Sequence, residues 1–262
     1  MKKRAVLAVS GGMDSTGLLM KLLAEGYEIR AYSFDYGQKH KIEIERLRKN
    51  VDFLFSQGSN LKAWSIIDLK TVFNESRSAL VPSIYAGITP EIPEGHYAEE
   101  NMVSTVVENR NAIFSSIIFG KALAWANETG ENVDICLGIH SGDHDVYPDC
   151  RPEFRDALEH AMKIGNYGSE KVNYYTPYLL GNKRTILLDT LDNCEKLGFD
   201  FDAILSNTNT CYNPDELGRS CGKCGSCVER VEAFLEIHLV DPVPYQENWE
   251  VIKANVISVL NK

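Results

Sequence analysis

Two groups of residues carry most of the chemistry available to this sequence. They are Ser10-Gly11-Gly12-Met13-Asp14-Ser15 near one end and Cys211, Cys221, Cys224 and Cys227 near the other. Gly11 and Gly12 lack side chains, so the backbone can turn tightly and aim consecutive N–H groups at an anion. Ser10 and Ser15 add hydroxyl donors. A helix starting behind the loop adds a dipole that favours concentrated negative charge, which makes phosphate or pyrophosphate the natural guest. The spacing is neither the GxxxxGK[ST] of a Walker A loop nor the GxGxxG of a dinucleotide fold. Asp14 is the odd member, because a carboxylate repels phosphate unless a divalent cation such as Mg²⁺ lies between them. The loop therefore points to a metal-bridged nucleotide. An isolated Ser-Gly-Gly would mean only a glycine turn with a helix cap; the strand before it and the helix after it favour function.

The cysteines follow C-x-x-C-x-x-C spacing from Cys221 to Cys227, with Cys211 upstream. Four thiolates can converge tetrahedrally on one ion and leave no position for water, which describes a structural site. Zn²⁺ is favoured over an iron–sulfur cluster, with Arg219, Lys223 and Arg230 close in sequence to offset the negative charge. Seven cysteines make poor disulfide arithmetic, and the crowding of four suggests a metal site in a reducing compartment. Cys136 and Cys194 read as core residues.

These groups need elements to hold them. Arg4 to Val9 is a short apolar, β-branched run ended by the glycine pair, and Thr16 to Glu25 then shows helical spacing through Leu18, Leu19, Leu22 and Leu23. Ile29 to Phe34 reads as a second strand, Lys41 to Phe55 as a second helix and Lys62 to Asp68 as a third strand. This alternation predicts an α/β fold, a doubly wound parallel sheet whose ligands sit outside the carboxyl ends of the strands. From Lys70 to Asn109 the pattern fails, as expected of a lid or a disordered loop. Helices return at Arg110 to Asn127, Pro152 to Ile164, Lys183 to Leu197 and Val228 to Ile237, with a strand at Val133 to Gly138. Residues 1–205 are expected to form the main domain, and residues 206–262 a small zinc-binding subdomain with a C-terminal helical extension.

No apolar run approaches the roughly 20 residues of a membrane span. The basic Met1-Lys2-Lys3-Arg4 start leads into a strand rather than a cleavable signal, so a cytoplasmic protein is expected. A formal charge of −10 argues against a broad nucleic-acid-binding face, leaving a small molecule as the expected partner.

The Ser-Gly-Gly-x-Asp-Ser loop in this setting resembles the PP-loop ATP pyrophosphatases. Further segments resemble one family within them, the 7-cyano-7-deazaguanine synthases. These are Phe34-Asp35-Tyr36-Gly37-Gln38-Lys39-His40, Arg110-Asn111, Tyr147-Pro148-Asp149-Cys150-Arg151-Pro152-Glu153-Phe154, Thr176-Pro177 and the Cys211 to Cys227 knuckle. The resemblance implies an adenine nucleotide α-hydrolase-like, Rossmann-like fold and an ATP-dependent C–N ligase of queuosine biosynthesis. The implied reaction adenylates 7-carboxy-7-deazaguanine, releases pyrophosphate and uses ammonia to reach the nitrile. Such chemistry rests on charge stabilisation and positioning rather than on a side-chain nucleophile. Ser10, Gly11, Gly12, Asp14 and Ser15 would hold the nucleotide, with Gln38 and His40 helping to close its site. Asp14, Arg110 and Lys183 would act on the phosphates, although a solvated surface lysine would suit position 183 equally well. Asn111, Asp149 and Arg151 would contact the substrate, Asp149 accepting from the guanine-like edge. ATP, Mg²⁺ and Zn²⁺ are the implied cofactors, and a homodimer is the expected assembly.

Two stretches depart from the family pattern. Glu108 stands where a proline is usual, and His140, then Asp143-His144-Asp145-Val146, replace the usual asparagine and Asp-Tyr-Ser-Gly. Both fall where the substrate or the amine should sit. They motivate an alternative in which the same acid is joined to a protein or other amine as an amide, a role in anti-phage defence. A zinc-ribbon nucleic-acid module and a tRNA-thiolating enzyme using Cys136 or Cys150 are more distant alternatives.

Overall fold

The structure is a computed structural model that describes residues 2–85, 90–97, 99–140 and 146–261. Five parallel strands form the sheet: β1 (Arg4–Ala8), β2 (Glu28–Asp35), β3 (Leu61–Asp68), β4 (Val133–Cys136) and β5 (Val172–Tyr175), in the order β3-β2-β1-β4-β5. The chain winds outward from β1 to β3, then returns to the far side of β1 to lay down β4 and β5. A crevice therefore opens between the carboxyl ends of β1 and β4, where this winding places ligands.

The helices described are α1 (Met13–Ala24), α2 (Ile42–Ser56), α3 (Lys70–Phe73), α4 (Arg110–Thr129), α5 (Pro152–Ile164), α6 (Lys183–Leu197), α7 (Phe201–Ser206), α8 (Gly225–Glu236) and α9 (Trp249–Leu260). Strand side chains alternate between faces, so Ala5 and Leu7 pack with α1, α2, α6 and α8 while Val6 packs with α4. Leu18, Leu22, Leu47, Ile186 and Phe234 close the first core without solvent exposure, and Ile118 and Ala122 do so in the second. Each such Leu or Ile contributes about 1.5–3 kcal/mol of burial free energy.

The doubly wound parallel sheet expected from the sequence is the fold observed. Three elements went unforeseen: α3, β5 and α7. β5, Val-Asn-Tyr-Tyr, is too short to show a period; α7 is six residues long. α9 is rich in β-branched residues and owes its place to packing of Ile252 and Val256 against Val228 and Val231 of α8. The stretch from Lys70 to Asn109 is, in its described residues, no disordered loop. Ala79, Leu80, Tyr97 and Met102 are buried, and a 3₁₀ turn spans Glu100–Thr105. Its apolar residues are irregularly spaced because they serve tertiary contacts rather than one helix face.

Candidate active site

The glycine loop leaves β1 and becomes α1 at once, so Asp14 and Ser15 belong to the first helical turn rather than to the loop. Gly11 has φ +98°, and a Cβ there would collide with the carbonyl of Glu43. Only glycine suits that position. Ser10 Oγ accepts from Gly12 N–H and shares a hydrogen bond with Ser15 Oγ, both at 3.1 Å. Met13 N–H donates to Thr210 Oγ1 at 3.4 Å, and Asn209 N–H to the Gly11 carbonyl at 2.9 Å, so the segment before the knuckle braces the loop from across the crevice.

Four elements meet behind the loop in a buried charged cluster. Asn182 caps α6 by accepting from Thr185 N–H, which presents Lys183 as the first helical residue. Lys183 is 4% exposed, far from a solvated surface lysine. Its Nζ donates to Asp14 Oδ2 at 2.9 Å and lies 3.1 Å from Glu229 Oε2 and 2.9 Å from His140 Nε2. His140 Nδ1 faces Glu229 Oε1 at 3.9 Å. Burial works to raise the Asp14 carboxyl, but Lys183 and then His140 outweigh it and hold it below its ordinary value. Asp14 Oδ1 is buried and has no hydrogen-bond partner among the described residues, an acceptor suited to a hard divalent cation.

The cavity in front of this cluster measures about 210 Å³ and is lined by Ser10, Gly12, Asp14, Ser15, His40, Arg110, Asn111 and Lys183 among others. Its far end is aromatic. Phe34 and Phe114 stack with centroids 4.0 Å apart, and Arg110 lies 5.9 Å from the rings of both Tyr36 and Tyr147. Tyr97 and Tyr212 share a hydrogen bond at 2.7 Å, and Tyr147 shares one with Thr105 at 2.6 Å. His40 is buried here and pushed down to about 3, by burial and then by Arg110; Glu43, 3.7 Å away, is pushed up by burial to about 8.

The remaining expected residues stand behind the wall. Gly11, Gln38, Asp149 and Arg151 do not line the cavity. Gln38 donates to Glu43 Oε1 at 3.0 Å and to the Phe34 carbonyl, and accepts from Tyr36 N–H, so it shapes the strand end. Asp149 Oδ2 accepts from Asn111 N–H at 3.2 Å, at the start of α4. Arg151 is the exposed N-cap of α5. Glu108 takes up its unusual place by accepting from Ser76 Oγ at 2.6 Å and Arg77 N–H at 3.2 Å, while Asn109 turns left-handed at φ 56° to start α4. His140 belongs to the buried cluster; Asp143, His144 and Asp145 lie outside the described residues.

Sequence reasoning missed Glu229, Glu43 and the tyrosines. Tyr36, Tyr147 and Tyr212 fall within motifs already singled out, whereas Tyr97 belongs to the stretch where the pattern fails. Glu229 and Arg230 stand three and four positions after Ser226, a polar face on a helix whose other buried residues are largely apolar.

The four knuckle cysteines are buried, with their Sγ atoms all within 4.8 Å of one another. Zn–S bonds of about 2.3 Å put tetrahedral sulfurs about 3.8 Å apart, and Cys221 and Cys227 Sγ lie 3.9 Å apart. Backbone N–H groups of Asn213 and Cys221 point at Cys211 Sγ, and those of Lys223 and Cys224 at Cys221 Sγ. The set fits a closed zinc site. Two of the nearby cations bind elsewhere, Arg219 to Asp215 and Arg230 to Asp241, because carboxylates lie within reach; Arg230 keeps only a through-space attraction to Cys227. Cys136 and Cys194 are core residues without exposure.

Among the described residues no helix is long and apolar enough to cross a membrane. A solved 4-thiouridine synthetase in complex with RNA and bound ATP aligns over 98% of this chain and 53% of that one at 15% identity and a TM-score of 0.42, too weak a likeness to argue from. The sequence relatives are far nearer. The chain is 43% identical to 7-cyano-7-deazaguanine synthase 1 of Colwellia psychrerythraea over 94% of this chain and 100% of the relative. It is 44% identical to the 7-cyano-7-deazaguanine synthase of Hahella chejuensis over 93% of each. A family model described as queuosine biosynthesis protein QueC matches residues 4–238, so the chain belongs to that family.

Proposed function

We propose that this chain uses ATP to activate 7-carboxy-7-deazaguanine and, with ammonia, converts it to 7-cyano-7-deazaguanine. The observation that carries this reading is the similarity to 7-cyano-7-deazaguanine synthases over 93–94% of the chain. The cavity supports it. Ser10, Gly11, Gly12 and Ser15 cradle the departing pyrophosphate, and Lys183 and Arg110 stabilise charge that develops at phosphorus. Asp14 would hold Mg²⁺, which would neutralise phosphate charge when bound. The aromatic end, with Phe114, Tyr36 and Tyr147, takes the flat heterocycles, and Asn111 orients the acid from the start of α4, held there by Asp149, with Arg151 starting α5 behind the wall. Gln38 and His40 shape the nucleotide end from the loop after β2. Cys211, Cys221, Cys224 and Cys227 hold Zn²⁺, which braces residues 206–262 as an appendage to the domain of residues 1–205.

In this reading the acid attacks the α-phosphorus, pyrophosphate leaves, and ammonia displaces AMP to give an amide. A second ATP activates the amide oxygen, and loss of AMP leaves the nitrile. No side-chain nucleophile is required. Incubation with ATP, the acid and ammonium, followed by mass spectrometry, should show conversion to the nitrile with AMP and pyrophosphate. Arrest at an amide, or transfer of the acid to another amine, would overturn the proposal.

A further inference from the structure

The knuckle and the phosphate site are joined by one turn of helix. Cys224 is the N-cap of α8, Cys227 lies in its first turn, and the N–H groups of Cys227 and Val228 both donate to the Cys224 carbonyl. The geometry of the four sulfurs therefore sets where α8 begins and how it is rotated. Ser226, Glu229 and Arg230 follow at positions i, i+3 and i+4, which share a helix face. That face meets the nucleotide site at three points. Ser226 lines the cavity. Glu229 places Oε2 3.1 Å from Lys183 Nζ. Arg230 donates from Nη1 to Thr208 Oγ1 at 2.8 Å and to Thr210 Oγ1 at 2.9 Å, and Thr210 Oγ1 in turn accepts from Met13 N–H in the phosphate loop. Arg230 is fixed from behind by both carboxylate oxygens of Asp241, at 2.6 and 2.9 Å.

We infer that Glu229 is a positioning residue for Lys183, and that α8 makes the cysteine knuckle a working part of the ATP site rather than a remote brace. The inference rests on reading the cavity as an ATP site. Its physical basis is the sharing of one ammonium by two carboxylates. Lys183 is almost wholly buried, and a buried charge holds its place only when paired. Asp14, which lines the cavity, has a second oxygen buried without a hydrogen-bond partner among the described residues, so cation binding there competes with the Lys183 ammonium for the same carboxylate. Glu229 supplies the counter-charge that keeps Lys183 in position while Asp14 turns to the cation. Without it, Lys183 and Asp14 close on each other, and the site binds the metal-bridged nucleotide poorly.

Two measurements test this on the full-length, metal-containing protein, using Mg-ATP and inorganic pyrophosphate as probes and no deazaguanine. Glu229→Gln keeps the shape of the side chain and removes the charge. It should retain the parent's bound zinc and melting temperature while Mg-ATP affinity falls about tenfold or more, a loss that a purely structural role would not produce at unchanged stability. In the second, a chelator strips the cysteine site under conditions that preserve the far-ultraviolet circular dichroism. Affinity for pyrophosphate should then fall, and return when zinc is restored. If Glu229→Gln binds Mg-ATP like its parent, or the stripped and folded protein binds pyrophosphate unchanged, the inference fails while the reading of the cavity stands. If the parent protein binds neither probe, both fail together.

Discussion

The two ends of one cavity solve the burial of charge differently. At the phosphate end, Asp14, Lys183, His140 and Glu229 surround one another, so each charge has an opposite partner within about 4 Å. At the aromatic end the Arg110 guanidinium lies against the rings of Tyr36 and Tyr147 and donates to the Tyr36 hydroxyl at 3.5 Å, while His40 and Glu43 are driven to their uncharged forms. Paired charge is suited to exchange partners with a triphosphate and its cation. A guanidinium framed by rings is suited to flat heterocycles and to the developing charge of one acyl phosphate. The contrast separates groups that act through charge from groups that act through shape.

Replacing Lys183 attacks the first end and carries the largest expected effect. Lys183→Met should lower kcat/KM for ATP about a thousandfold, roughly 4 kcal/mol of transition-state stabilisation. It should also lower the melting temperature, because Asp14 and Glu229 are left facing each other without their cation. AMP release and thermal unfolding measured together would blur the contrast if the variant were stable and active.

Arg110→Lys probes the second end. Charge is kept, but the planar group that lies against two tyrosine rings is lost, so a drop of about fiftyfold in kcat/KM is expected. An equal drop in Lys183→Arg and Arg110→Lys would mean that shape matters alike at both ends, and the distinction drawn here would go.

The smallest effect is on stability against pH. Native Glu43 holds its proton to about pH 8, above the ordinary 4.5, so its contribution is fully present below about pH 4.5 and lost as pH rises towards 8. His40 runs the other way. Its native value of about 3 lies below the ordinary 6.5, so its contribution is present above about pH 6.5 and lost as pH falls towards 3. Glu43→Gln cannot ionise, and its melting temperature relative to the parent should climb between pH 5 and 8, then level off. A flat difference across that window would show that Glu43 is ionised and solvated.

Much of this site was legible before any coordinates. The glycine loop declares itself because tight turns and anion binding both demand residues that are adjacent in the chain, and the knuckle does so because a metal needs ligands at short, fixed spacing. The helices at Pro152–Ile164 and Lys183–Leu197 were read to the residue, since a 3.6-residue period and a capping asparagine are local properties. β5 and α7 were not, because they are too short to show a period and neighbours hold them in place.

What the sequence determined alone is the chemistry on offer: a phosphate-binding loop with a carboxylate in it, four thiols for one ion, and a parallel sheet to display them. What only the tertiary structure decided is which distant groups share a space. Lys183 is 169 residues from Asp14 yet touches it, Glu229 couples the knuckle to both, and Glu43 keeps a proton that its type alone would surrender. The reason is physical. Pairing and desolvation depend on what lies within a few ångströms in space, and the fold of the sheet, not the order of the residues, sets that distance.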